Sequence, residues 1–331
     1  MKKPLNFILI IYMIAFLFFV AMYIPSPEIL PEAKNKYMNE IDDFSFKFND
    51  LFISKAIAEG TFGTAEAVLP IPLEETQGRD PIAENFTENS YEDQTIKIKM
   101  EHGRFEDCDY HVAYVEIVDP SQLRTGLAGE LGSKRVLKTS ELAPKFNALV
   151  AINGDFYTQV QSGFIVRQGE VYRKKTSSNL DFLLIDSMGD FHIIVRGKEE
   201  QVNQIKELIE TKEIVNGFCF GPALVIDGQV QQIPENYQFA PHYKNPRAGI
   251  AQLGPLKYAL VVVDGRLNDS EGLDLTQFSH LMKEIGSVHA YNLDGGNSAA
   301  LYFKDSLYST KSVENERSIT DIIYFVTAVL N

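Results

Sequence analysis

The sequence predicts an α+β fold: a domain built around mixed β-sheet with a few helices, preceded by a single N-terminal transmembrane helix. Three observations predict it. Short β-rich apolar runs, each closed by Gly, Asp, Asn or Pro, recur from residue 95 onward, and few stretches have helical spacing. An uninterrupted apolar run of membrane-spanning length stands at the N-terminus. A 45% hydrophobic content over 331 residues, rich in Phe and Tyr, supplies a substantial core.

The chain divides into a cytoplasmic tip at 1–4, a signal anchor at 5–24, a juxtamembrane segment with an acidic Pro-rich linker at 25–94, and a catalytic-type domain at 95–331. Leu5 to Ile24 has Asn6 as its single strongly polar member, and roughly 20 apolar residues cross a hydrocarbon core as a helix. Lys2 and Lys3 precede the run while Glu28 and Glu32 follow it, so the positive-inside rule places everything after Ile24 outside the cytoplasm. The rival is a cleaved signal peptide, but the apolar run is long for one and no small-x-small site follows Met22. Between Pro70 and Asp93 the composition shifts to Pro, Glu, Asp, Asn and Thr, the mark of a solvated linker.

Within the domain, Tyr110 to Val118 reads as a strand closed by Asp119-Pro120, and Leu149 to Ile152 as a short strand stopped by Asn153-Gly154-Asp155. Phe182–Asp186 and Phe191–Val195 flank a turn and form a hairpin, and Glu199 to Glu213 has helical spacing with a charged face. Ala223 to Ile226 and Tyr258 to Val263 are buried strands by composition. Leu275 to Ile285 is an amphipathic helix with Asp274 as N-cap and Gly286 as C-cap, and Ile319 to Leu330 returns to β-rich sequence.

The net charge of −14 argues against nucleic-acid binding, because a phosphate backbone is repelled at long range, while a small anion can still be held by arginines focused in a cleft. The two cysteines, Cys108 and Cys219, either pair or stay as buried thiols; their spacing does not decide, and no zinc pattern is present.

Four polar islands fall at strand ends: Asn153-Gly154-Asp155-Phe156-Tyr157; Asn245-Pro246-Arg247-Ala248-Gly249; Asp264-Gly265-Arg266 with Ser270-Glu271-Gly272; and Asn292-Leu293-Asp294-Gly295-Gly296-Asn297-Ser298, with Glu316-Arg317 beyond it. Carboxylates, carboxamides and arginines on loops carried by a rigid sheet suit a ligand that is sugar at one end and phosphate at the other. The adjacent glycines Gly295 and Gly296 allow close backbone approach to an anion.

In their order along the chain these islands, together with Ser162-Gly163-Phe164-Ile165-Val166 and Gly221-Pro222-Ala223-Leu224-Val225, resemble the phosphodiester glycosidase family over roughly Tyr110 to Phe325. The resemblance implies a hydrolase that cleaves a sugar-1-phosphodiester; with the N-terminal anchor, the expected substrate is an envelope glycan or exopolysaccharide, and no metal or other cofactor is assigned. Asp294 is then the nucleophile or base, Asp155 or Glu271 the second carboxylate, and Asp264 a further acidic candidate. Arg247 and Arg317 would face phosphate, with Gly295 and Gly296 as an anion cradle and Arg266 in the wider substrate-binding set. Asn153, Gly154, Asn292, Asn297 and Ser298 complete the substrate-binding set. The family's loop commonly carries a third glycine where this chain has Asn297, and Ser or Thr where it has Ala299, so the sugar stays open.

Two other readings compete. Gly296-Asn297-Ser298-Ala299-Ala300 half-matches the serine hydrolase elbow, but every histidine precedes Ser298, against the chain order of that fold. A non-catalytic, membrane-tethered polysaccharide-binding module would keep the same polar set. A calcium loop around Asp264, Asn268 and Asp269 fails because Asp269 stands where an EF-hand needs glycine.

Overall fold

The structure is a computed structural model that describes residues 67–330 except 176, 178, 198, 212 and 310–315. Three antiparallel sheets carry the domain. In chain order the elements are β1 (Ser90–Glu92), β2 (Ile96–Phe105), β3 (Cys108–Ile117), β4 (Leu123–Leu127), α1 (Thr139–Leu142), β5 (Val150–Asn153), β6 (Gly163–Arg167) and β7 (Glu170–Lys175). Next come β8 (Phe182–Asp186), β9 (Phe191–Ile194), α2 (Glu199–Thr211), β10 (Ile214–Phe218), β11 (Ala223–Ile226), β12 (Gln229–Val230), β13 (Arg247–Gly254) and β14 (Lys257–Val263). The chain closes with α3 (Leu275–Glu284), β15 (His289–Asn292), β16 (Leu301–Phe303), β17 (Ser306–Leu307) and β18 (Asp321–Phe325).

The largest sheet has eight strands in the order β1-β2-β3-β14-β13-β15-β11-β12, and the two others have five each, β7-β6-β10-β8-β9 and β17-β16-β5-β18-β4. The α+β class agrees with expectation. The sheets are not mixed, however: every ladder among the described residues is antiparallel. The cause is visible in the connections. β2 and β3, β8 and β9, and β13 and β14 are joined by tight turns, whereas a parallel neighbour needs a crossover of a dozen residues or more.

β14 shows why a continuous apolar run forms a strand here. Tyr258, Leu260 and Val262 face the core between the sheets, while Ala259, Val261 and Val263 face Leu275, Phe278, Leu281 and Met282 of α3. A strand covered on both faces has no polar face to display. α3 starts where the sequence places it, since Asp274 accepts from Gln277 N at 2.8 Å in a capping box, and Gly286 follows with φ of 94°.

The stretch that composition marks as linker behaves differently over its described part, and residues 67–94 belong to the same compact unit as the rest of the domain. Ala67 bridges Val329, Ile71 and Tyr91 are buried, and β1 pairs with β2. The fully buried Arg124 explains the docking, because its Nη2 donates to the carbonyls of Pro72, Leu73 and Glu75. A buried guanidinium needs acceptors, and this segment brings them on its backbone. Side-chain composition does not report backbone acceptors, so the boundary near Thr95 falls inside the packed unit.

No helix among the described residues is long and apolar enough to cross a membrane; the apolar run at 5–24 lies outside them. Cys108 and Cys219 are both buried free thiols.

Candidate functional site

The β15–β16 loop is the centre of the site. β15 lies between β13 and β11, with Asn292 opposite Gly249, and ends the largest sheet's delivery of backbone to the loop. Beyond it the chain is pinned from three sides. Asn153 Nδ2 donates to Asp294 O at 2.7 Å, Asn153 Oδ1 accepts from Ala300 N at 3.2 Å, and Gly296 N donates to Pro246 O at 2.9 Å. Glycine is required at one position for approach and at the next for dihedral freedom: a Cβ on Gly295 would lie 2.7 Å from Pro246 O, and Gly296 holds φ at 60°. The bond from Gly296 N to Pro246 also means that this N–H is already engaged. The expected anion cradle therefore does not include it.

Three polar side-chain atoms of this loop are buried without a hydrogen-bond partner among the described residues: Asn292 Oδ1, Asp294 Oδ2 and Ser298 Oγ. A buried polar atom left unpaired is costly and uncommon. Three of them within seven residues mark a place shaped for polar groups that come from elsewhere. Asp294 is only 8% exposed, and burial raises its pKa above the usual carboxylate range. The Ser298 hydroxyl, near the carboxylate but short of hydrogen-bond geometry, pulls the other way with the Arg317 guanidinium and Gly295 N–H, and the nearby Asp155 charge adds to the rise.

Around this floor stand two exposed arginines. Arg266 donates through Nη1 to Asn297 Oδ1 and through Nη2 to Asn245 Oδ1, both at 2.9 Å. Arg317 is fixed through its backbone, with its N–H 3.0 Å from Asn297 O, and its guanidinium lies 4.5 Å from the centre of the Phe156 ring. Asn297 thus ties both arginines to the loop. Phe156 holds φ at 58°, a strained value for an aromatic residue.

The other expected site residues have structural partners. Asp155 is fully buried, with Oδ1 2.6 Å from Arg167 Nη2 and Oδ2 accepting from Cys219 N at 2.8 Å. Arg167 also donates to Asp321 Oδ2 from Nε and Nη2, at 3.0 and 2.8 Å. Burial pushes the Asp321 carboxyl up to about 6 against the opposing pull of Arg167. Gly154 is needed because a Cβ there would strike this carboxylate at 2.3 Å.

Arg247 is 4% exposed and donates to three backbone carbonyls, Leu273 from Nε, and Ala240 and Tyr243 from Nη2. Burial lowers its pKa to about 10, which leaves it charged at neutral pH. Glu271 is exposed and paired with Lys244 at 2.9 Å. Asp264 is buried, 2.9 Å from His111 Nε2.

The fold therefore gathers Asn153, Gly154, Asn292, Asp294, Gly295, Gly296, Asn297, Ser298, Arg266 and Arg317, and engages Asp155, Arg247, Glu271 and Asp264 elsewhere. Sequence reasoning missed Arg167, Asp321, Phe156 and Asn245. Phe156 and Asn245 were within reach, since both lie inside the quoted islands without a role assigned to them; Arg167 and Asp321 depend on partners distant in sequence. Among the described residues no three His, Cys, Asp or Glu side chains converge as a metal site requires.

Comparison with solved structures agrees with this architecture. The catalytic domain of zebrafish N-acetylglucosamine-1-phosphodiester alpha-N-acetylglucosaminidase, auto-inhibited by its pro-peptide, superposes with a TM-score of 0.56 at 18% identity, over 76% of this chain and 87% of that one. A hypothetical protein from Synechocystis superposes at 0.51 with 15% identity, over 70% of this chain and 62% of that one. At these identities the likeness is one of fold. In sequence, the SPbeta prophage-derived uncharacterized protein YomE of Bacillus subtilis (strain 168) is 26% identical over 117 residues, 35% of this chain and 18% of that protein, so the chain spans well under a quarter of that relative's length. The phosphodiester glycosidase family model matches residues 146–326, which contain the whole of the Asp294 loop and both exposed arginines. The chain belongs to the phosphodiester glycosidase family.

Proposed function

We propose that this domain hydrolyses a sugar-1-phosphodiester, with Asp294 acting at the anomeric carbon and Arg266 and Arg317 holding the phosphate. The observation that carries the reading is the Asp294 carboxylate: buried, with Oδ2 unpartnered among the described residues, on a loop flanked by two exposed guanidinium groups. In this mechanism the bond from C1 to the bridging oxygen breaks, its electron pair leaves with the phosphomonoester, and water supplies the new hydroxyl of the sugar. A phosphate leaving group is weakly basic and needs little protonation, so the main assistance is electrostatic. Arginines fixed beforehand meet the charge as it develops on the departing group and need no rearrangement. Asp294 serves as nucleophile, or as base for the attacking water. Ser298 Oγ and Asn292 Oδ1, unpartnered on the same loop among the described residues, can bond sugar hydroxyls.

The reading extends to topology. Residues 5–24 anchor the chain in a membrane with the domain outside, where an envelope glycan or exopolysaccharide is the substrate. The flanking lysines and the length of the apolar run support it. Protease added to spheroplasts then removes the domain, and full protection rejects the topology.

Incubation with a panel of hexose 1-(alkyl phosphate) diesters in ¹⁸O-labelled water tests the chemistry. Label in the released sugar supports attack at carbon, and label in the phosphate rejects it. Binding of the diesters without any turnover would favour a polysaccharide-binding module instead.

A further inference from the structure

The hydrolytic reading gives the sugar hydroxyls partners but leaves the ring face without one, and the inference that follows rests on that reading. We propose that Phe239, stacked on Phe220, forms a platform for the C–H face of a pyranose ring whose hydroxyl donates to Asn292 Oδ1.

Three observations converge on it. Asn292 is 2% exposed, and its Nδ2 donates to Gly221 O at 2.7 Å while its Oδ1 has no partner among the described residues. A buried acceptor without a partner calls for a donor, and a sugar hydroxyl is one. The residue preceding Gly221 is Phe220, whose ring lies 4.1 Å from that of Phe239 at an interplanar angle of 12°. Phe220 is buried and Phe239 is 38% exposed, so one face of Phe239 is covered while the side chain still offers apolar surface to a ligand.

The third observation is the backbone. Phe239 and Ala240, neither of them glycine, hold consecutive positive φ values of 67° and 54°. Such a conformation persists only where the surroundings enforce it. Here they do: Arg247 Nη2 donates to the carbonyls of Ala240 and Tyr243 at 3.1 and 2.6 Å, and Tyr237 Oη donates to Phe220 O at 2.8 Å. Arg247 is thereby a positioning residue for the aromatic strap. The substrate class is a hexopyranosyl phosphodiester with a contiguous C–H face, ring against Phe239 and phosphate toward Arg266 and Arg317.

The test uses the wild-type domain beside Phe239→Ala and Phe239→Trp, with α-glucose 1-(methyl phosphate), α-galactose 1-(methyl phosphate) and the two methyl glycosides as probes. For whichever diester turns over, Phe239→Ala should raise KM roughly five- to tenfold with kcat within about threefold and an unchanged melting temperature. Phe239→Trp should restore KM. Saturation-transfer NMR should show the ring C–H protons of the matching methyl glycoside contacting the protein, and the contact should vanish in Phe239→Ala. Turnover with a KM indifferent to Phe239 overturns the platform and leaves the hydrolytic reading standing. Phe239-dependent glycoside binding without turnover of any diester does the reverse, and absence of both removes the two together.

Discussion

Asp155 and Asp294 are two buried carboxylates on neighbouring loops, and they differ in one respect that decides their use. Both oxygens of Asp155 are occupied, one by Arg167 and one by the Cys219 N–H. Asp294 is nearly as buried, yet its Oδ2 has no partner among the described residues, and its pKa is raised. A related division separates Arg247, buried with its bonds to three backbone carbonyls, from Arg266 and Arg317, whose guanidinium groups stay exposed. Residue type and motif membership are shared across each pair. What distinguishes a scaffold charge from a chemical one is whether the protein satisfies it and shuts it away, or leaves it unpaired or open to a ligand.

The largest expected effect tests Asp294 directly. Asp294→Asn keeps the shape of the side chain and removes its charge, so kcat should fall by about 10²–10⁴ with substrate binding retained. Activity near wild type in folded protein would return Asp294 to the class of Asp155. In contrast, Asp155→Ala leaves Arg167 short of an acceptor inside the domain, and thermal or urea unfolding should show a loss of about 3–5 kcal/mol. Unchanged stability there would erase the distinction from the other side.

Arginine substitutions sharpen the same contrast. Arg266→Gln or Arg317→Gln should lower kcat/KM roughly ten- to a hundredfold at constant melting temperature, the loss of about 1.5–3 kcal/mol of charged hydrogen bonding. Arg247→Gln should instead lower the melting temperature together with activity.

The smallest effect is one of pH. Because burial raises the folded pKa of Asp294, its ionisation opposes folding: the cost is full above the folded pKa and absent below the unfolded value near 3.9. Asp294→Asn should therefore melt higher than wild type at pH 7, and the gain should vanish as pH falls through that window. In the wild type the acid limb of kcat/KM should lie above the ordinary carboxylate range. A variant that melts lower at pH 7 would show that the carboxylate stabilises the fold.

Much of the fold was readable because local chemistry and tertiary demand agree. The capping box at Asp274, the positive φ at Gly286 and the unbroken apolar run of β14 follow from neighbours in sequence. The Asp294 loop was readable for the same reason, since its glycines and polar side chains serve one turn. Elsewhere the determining partner is distant: Arg167 and Asp321 are 154 positions apart, and Arg124 meets backbone carbonyls about 50 positions earlier in the chain. Composition recorded the polar side chains of 70–93 and could not record those carbonyls. Nor could it show that Arg247 would meet three of its own.

The contact between Gly154 and the Asp321 carboxylate has a consequence in time. Gly154 and Asn153 hold the Asp294 loop, and Asp321, on the last strand, fills the space a side chain at 154 would take. A ribosome delivers Asp321 long after Gly154 and after the Asp294 loop itself, so the loop is made before its support. Contacts so far apart in sequence form slowly compared with hairpins. A chain cut before β18 should consequently hold the Asp294 loop less firmly, and docking of β18 should complete its support.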